Sequence, residues 1–192
     1  MNNNSIAILA IVIILLTSSA FSGCTEHTDT GGERTVDAPL NILVLPISQF
    51  DGNYIKMGER HGTEGHKNDF GYWVSENYSV TYEESSMVQI FQKLAKFNFS
   101  SDASATLEEA ILTMVGEPDM QEVATDEIGD ESWVGRMTNR VLATDYQVYY
   151  VIFRIADVMV MFGISDSTLL KSTVVDHAQE LAYNLESAVV EK

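Results

Sequence analysis

The chain has 192 residues, room for one domain with appendages. Its 45% hydrophobic content excludes a disordered chain, and 28 acidic against 11 basic residues give a formal net charge of −17, which disfavours nucleic acid and anionic membrane surfaces as partners. The single cysteine, Cys24, excludes an internal disulfide, a four-cysteine zinc site and a Cys-x-x-Cys redox pair, so the domain must stand on its apolar core.

All of the charge lies beyond residue 23. Residues 6–16 (IAILAIVIILL) are an apolar run of signal-peptide length, shorter than the about 20 residues that span a bilayer. Small and polar residues follow, and then Phe21, Ser22, Gly23 and Cys24. This tetrad resembles the lipobox of prokaryotic lipoproteins: an apolar residue, two small ones, then cysteine. The resemblance implies cleavage before Cys24 and a lipid on its thiol, which makes residues 1–23 a signal peptide. Residues 1–5 carry no Lys or Arg. An uncleaved helical anchor over about residues 5–21 is therefore the alternative, and a soluble secreted product a further one. Residues 24–38 contain one large apolar side chain, Val36, and a Gly-Gly pair, and read as the lipidated cysteine followed by a flexible tether.

The domain is expected over residues 39–192. Residues 40–45 (LNILVL) alternate well enough for a strand ended by Pro46, and residues 54–60 (YIKMGER) read as a second strand. Residues 61–68 (HGTEGHKN) read as a loop, being rich in glycine and polar side chains. Residues 70–83 are aromatic and β-branched, which predicts a long strand or a hairpin bent near Glu76 and Asn77. Over 87–97 (MVQIFQKLAKF) the period of the polar positions favours a helix, while Val88, Ile90, Gln92 and Leu94 also fit a strand edge.

Residues 101–116 predict a helix with Leu107, Ala110, Ile111 and Met114 on one face and Gly116 and Pro118 as its stop. Residues 121–125 and 131–138 read as short strands. Residues 146–155 (YQVYYVIFRI) and 158–164 (VMVMFGI) read as strong strands joined by Ala156 and Asp157 alone, a tight hairpin. Asp157 tolerates a positive φ; Ala156 resists it, so strain or a longer turn is expected there. Residues 165–190 predict a long helix whose apolar stripe includes Val174, His177, Leu181 and Leu185. Strands, helix, strands, helix is the order of an α+β fold, an antiparallel β-sheet covered by helices.

Three short motifs point to a family. They are Ile128-Gly129-Asp130-Glu131-Ser132, then Ile152-Phe153-Arg154 ahead of the two-residue turn, then Glu180-Leu181-Ala182 in the last helix. Over roughly residues 40–190 the chain resembles prokaryotic surface lipoproteins with a PsbP-like α+β domain, including uncharacterised ones from methanogenic archaea. The resemblance implies a Gly-Asp turn entering a strand, a hairpin in which Ala156 stands where Gly is usual, and a terminal helix on the sheet. It also implies a strand over 87–97. For function it implies a domain that binds or scaffolds other proteins, with no shared catalytic residues.

Candidate chemistry is sparse. His61, Glu64 and His66 are ligand types that hold Zn²⁺, yet their spacing matches no metalloprotease motif, so an exposed loop without metal is expected. Asp126, Glu127, Asp130 and Glu131 form an acidic turn without EF-hand spacing, in which Gly129 and Asp130 have a backbone role. Neither Gly-x-Ser-x-Gly nor a P-loop occurs, and no cofactor is expected. Aromatics from Tyr72 to Tyr150 fit either a ligand-binding face or ordinary sheet packing. Asn77 and Asn98 open sequons and are candidate glycosylation sites of an exported protein.

These readings combine into a lipid-anchored protein on the outer face of the cell membrane. It is expected to bind or scaffold an envelope protein and not to act as an enzyme. The alternatives are a small-ligand or metal-binding lipoprotein and, last, an envelope hydrolase. Cys24→Ser is expected to release the protein from membranes where cleavage still proceeds, as fractionation and blotting would show. Continued tight attachment would instead identify the apolar run as an uncleaved anchor.

Overall fold

Alternating and β-branched side chains carry most of the chain into antiparallel strands. A computed structural model describes residues 33–68, 71–85, 88–141, 144–166 and 170–192. Cys24, the signal-peptide segment 1–23 and the spacer up to residue 32 lie outside these residues. The strands are β1 (Arg34–Val36), β2 (Ile55–Asn68), β3 (Gly71–Ser85), β4 (Val88–Lys96), β5 (Met120–Glu122), β6 (Glu131–Val141), β7 (Thr144–Ile155), β8 (Val158–Asp166) and β9 (Val189–Glu191). Two helices join them, α1 (Ser100–Val115) and α2 (Lys171–Glu186). Seven strands form one sheet in the order β2-β3-β4-β8-β7-β6-β5, every neighbouring pair antiparallel, and β1 pairs with β9 in a second, small sheet.

Each face of the large sheet has its own core. On the first face Tyr78, Val80, Leu94, Val151, Phe153 and Phe162 pack under the segment 36–50, the β1–β9 sheet and α2. On the second face Trp133, Tyr150, Ile152 and Met161 pack under Ala103, Leu107, Ala110 and Met114 of α1. Gly135 and Gly163 flank Tyr150 in register, and a Cβ on either would lie 2.1 Å from Trp133 or 2.0 Å from Phe91. The missing side chains are what let those rings lie flat on the sheet.

The expected α+β class is thereby corrected. The described chain is mostly antiparallel β-sheet, with a β-sandwich-like layering of the small sheet and irregular segment over the large one, and not a sheet covered by helices. Several local expectations fail for one reason: neighbouring strands overrule local pattern. The glycine-rich stretch 61–68 is not a loop but the second half of β2, paired residue by residue with β3. Of the two readings of residues 70–83 the long strand holds and the bent hairpin does not: Glu76 and Asn77 sit in unbroken strand, paired on both sides.

Residues 88–96 form β4, the strand that the family resemblance implies and the polar period alone does not, with Ile90, Gln92 and Leu94 buried on the first face. The run 40–45 is a 3-10 turn, because its leucines cap the first core instead of joining a ladder. Residues 34–36, placed in the tether by composition, form β1 with Val36 fully buried. The last helix is shorter at both ends than its stripe predicts, since residues 165 and 166 close β8 and residues 189–191 form β9.

One buried polar group fastens the irregular segment. Gln92 is fully buried on the first face; its Nε2 donates to the Leu45 carbonyl at 2.9 Å and its Oε1 accepts from the Leu45 amide at 2.8 Å. Both hydrogen-bonding groups of Leu45 are thus satisfied without a strand partner.

The β7–β8 turn is fastened more heavily. Ala156 adopts φ +52°, the strained conformation its position demands. Asp130 Oδ2 accepts the Ala156 amide at 2.8 Å, and Arg154 Nη1 donates to the Ala156 carbonyl at 2.8 Å. Gly129, at φ +69°, brings Asp130 into place; a Cβ there would lie 2.5 Å from the Arg154 carbonyl oxygen. Gly129→Ala therefore meets both a backbone penalty and a clash. It is expected to cost about 1–3 kcal/mol, read as a lower urea midpoint with unchanged slope.

Candidate functional site

Strand alternation decides which of the polar side chains meet. Directly paired residues share a face, so His61 with Tyr78 lies on the first face, while Glu64 with Ser75 and His66 with Trp73 lie on the second. The three ligand types singled out in the sequence are thus divided between opposite sides of β2. His61 Nε2 meets Glu76 Oε1 at 2.9 Å in an exposed pair. Among the described residues no three His, Cys, Asp or Glu side chains come close enough to hold a metal.

On the second face Glu64 and His66 enter a network with residues that the sequence did not single out for chemistry. Ser75, fully buried, shares its hydroxyl with His66 Nε2 at 2.8 Å and with the Asn77 amide at 3.0 Å. Asn77 Nδ2 also reaches Glu64 Oε2 at 3.2 Å, and Lys93 Nζ from β4 donates to the same oxygen at 3.2 Å. The His66 ring lies 6.1 Å from Trp73, nearly parallel to it, and 5.6 Å from Phe97. Trp73 Nε1 donates to Thr106 Oγ1 at 3.2 Å and so ties the network to α1. Burial first, with Lys93 adding to it against the opposing pull of Glu64, holds the His66 imidazole below its ordinary pKa of 6.5.

This arrangement has the components of serine–histidine chemistry without its access. The Ser75 hydroxyl is fully buried, and Glu64 lies beside the histidine along the strand instead of hydrogen-bonding its second nitrogen. Most of these groups engage one another across β2, β3 and β4, while the buried Asn77 Oδ1 has no partner among the described residues. The period-2 spacing of Glu64 with His66, and of Ser75 with Asn77, is the signal that could have found the network, but only once residues 61–68 were known to be strand.

The other singled-out residues are placed as follows. Asn77 has its amide nitrogen engaged inside the network, whereas Asn98 is exposed between β4 and α1. Gly129 and Asp130 form the turn described above; Asp130 Oδ1 also accepts from Arg34 at 2.9 Å. The acidic turn is therefore partly neutralised by two arginines, with Glu131 taking Arg154 at 2.8 Å. His177 packs on Phe50 with ring centres 4.8 Å apart.

The aromatics form no common face. Tyr78, Tyr82 and Tyr149 belong to the first core, Tyr150 to the second, and Tyr72 stands exposed. Burial pushes the Tyr150 hydroxyl up to about 12; burial, and then the bond to Glu59, does the same for Tyr78.

A cleft of about 440 Å³ lies where β1 and β9 meet the end of β4, lined by Thr35, Asp37, Lys96, Asn98, Asp157 and Lys192 among others. Its inner groups are already engaged. Asp157 accepts from Thr35 Oγ1 and from the Val36 amide, and Lys96 Nζ donates to the Val36 carbonyl. No helix among the described residues is long and apolar enough to cross a membrane.

Neither a protein-family model nor a curated protein matches the sequence. Among solved structures the chain is similar to the extracellular domain of PknH from Mycobacterium tuberculosis. The TM-score is 0.61 at 9% sequence identity, and the match covers 82% of this chain and 100% of that one. At that identity the likeness shows a shared fold.

The His66 environment makes a pH prediction. Its folded pKa lies below the unfolded one, so the unfolded chain takes up the proton first as pH falls. The associated stability is complete above pH 6.5 and is lost as pH drops through that value toward the depressed folded pKa. Urea titrations across this range are expected to show a slope of stability with pH that His66→Gln reduces.

Proposed function

We propose that the chain is an extracytoplasmic binding domain, tethered through lipid on Cys24, that holds another protein of the cell envelope and does not catalyse a reaction. The observation that carries this reading is the outer side of β2, which pairs with no strand among the described residues. It is a 14-residue strand at the edge of the large sheet, whereas the opposite edge strand, β5, has three residues. Such an edge offers a row of main-chain donors and acceptors to an added strand. Tyr72 and Val74 stand exposed near the tip of the same hairpin and supply apolar contact.

Further support comes from two directions. The fold is shared with a domain described as extracellular, which favours an outward location. The tetrad Phe21-Ser22-Gly23-Cys24 favours the lipid tether. The polar groups on the second face are turned on one another, which favours holding a partner over turning over a substrate.

Mild cross-linking of the membrane-anchored protein, followed by affinity purification and mass spectrometry, is expected to recover a reproducible envelope protein. Recovery of none, together with a melting temperature raised by zinc, calcium or a sugar, would replace this reading with small-ligand binding.

A further inference from the structure

We propose that β2 pairs with β2 of a second copy of this chain, antiparallel about a two-fold axis at Gly62, so that two seven-stranded sheets join into one. The inference deepens the edge-binding reading above and rests on it.

Symmetry restricts the choice. Opposed pairs in an antiparallel ladder alternate between two kinds, and a two-fold axis cannot exchange one kind for the other. The axis must therefore pass through a residue facing its own copy. With Gly62 on the axis, Arg60 faces Glu64 of the second copy, and Glu64 faces its Arg60. No like charges then oppose one another anywhere along Ile55–Asn68. Placing the axis one residue earlier, at His61, opposes no opposite charges, and two residues earlier sets Arg60 against itself; one residue later, at Thr63, sets Lys67 against Glu59, whose carboxylate is already held by Lys56 and Tyr78.

The participating groups are free to pair. Arg60 makes no ion pair among the described residues, and Glu64 uses only Oε2 for Asn77 and Lys93, leaving Oε1 open. At Gly62 no atom lies within 4 Å of where a Cβ would stand, so nothing obstructs the axis. Charge permits a contact at this edge. A copy with a formal charge of −17 repels its like, but β2 carries three basic residues (Lys56, Arg60, Lys67) against two acidic ones (Glu59, Glu64). The axis is perpendicular to the sheet, so β1 of both copies lies on the first face.

The test uses the full chain in detergent, with Cys24→Ser so that an introduced thiol is alone. Light scattering is expected to report a dimer. Gly62→Cys is expected to form an intermolecular disulfide under mild oxidation, because facing residues of a ladder lie within disulfide reach. Gly58→Cys, away from the axis, is expected not to, which controls for crowding in the micelle. Arg60→Glu changes an exposed side chain and is expected to weaken association about tenfold or more, as is Glu64→Arg, with affinity restored in the double reversal. A monomer, a Gly62→Cys chain that fails to cross-link, or a dimer indifferent to charge reversal would overturn the inference. An envelope protein captured by a monomeric chain would sink the pairing and leave the binding reading standing. A symmetric dimer that captures nothing would do the reverse.

Discussion

Ala156 is held in a left-handed conformation that a two-residue turn requires and an alanine resists, and much of the structure hangs on how it is held. Asp130 takes its amide, Arg154 takes its carbonyl, and Glu131 holds the other side of the Arg154 guanidinium. The next residue, Asp157, is buried and accepts from Thr35 and the Val36 amide, so the same turn fastens β1. Arg34 closes the circuit by pairing with Asp130 and with Glu186 at the end of α2. One turn thereby sets the β7–β8 register, on which both cores are built, and ties it to β6, to the small sheet and to the last helix. Ion pairs at a surface stabilise little, but here several share part-buried partners and a strained backbone, where their geometry matters more than their count.

Once that register is set, strand alternation sorts the chemistry. The first face receives the larger core and the irregular segment clamped by Gln92. The second receives α1 and, beside it, the network of Glu64, His66, Ser75, Asn77 and Lys93. This network engages most of its polar side chains, leaving the buried Asn77 Oδ1 without a partner among the described residues, and it braces the outermost hairpin against the centre of the sheet. It also uses up the groups that would otherwise make a reactive site. Along its outer side, the main chain of β2 pairs with no strand among the described residues.

The charge of the molecule gains a meaning from this geometry. An excess of 17 negative charges keeps copies apart by their general surfaces, while β2, the long edge strand among the described residues, carries three basic residues against two acidic ones.

Much was legible in the residues themselves. The apolar run over residues 6–16 ahead of Cys24, the acidity, the hairpin around Ala156 and Asp157, the helix now bounded as Ser100–Val115 and the turn at Gly129 all follow from local chemistry: hydrophobic length, charge, turn residues and period. Tertiary structure alone decided the rest. Residues 61–68 became strand because the neighbouring ladder satisfied their backbone, a gain that outweighs glycine content; over 88–96, where the family resemblance already implied a strand, the same kind of ladder outweighs the helical period. The division of His61 from Glu64 and His66, and the meeting of His66 with Ser75, depended on register, which is a property of two strands and cannot be read from one. Which edge stayed open was settled only when the order of all seven strands was settled, because an edge is defined by the absence of a neighbour.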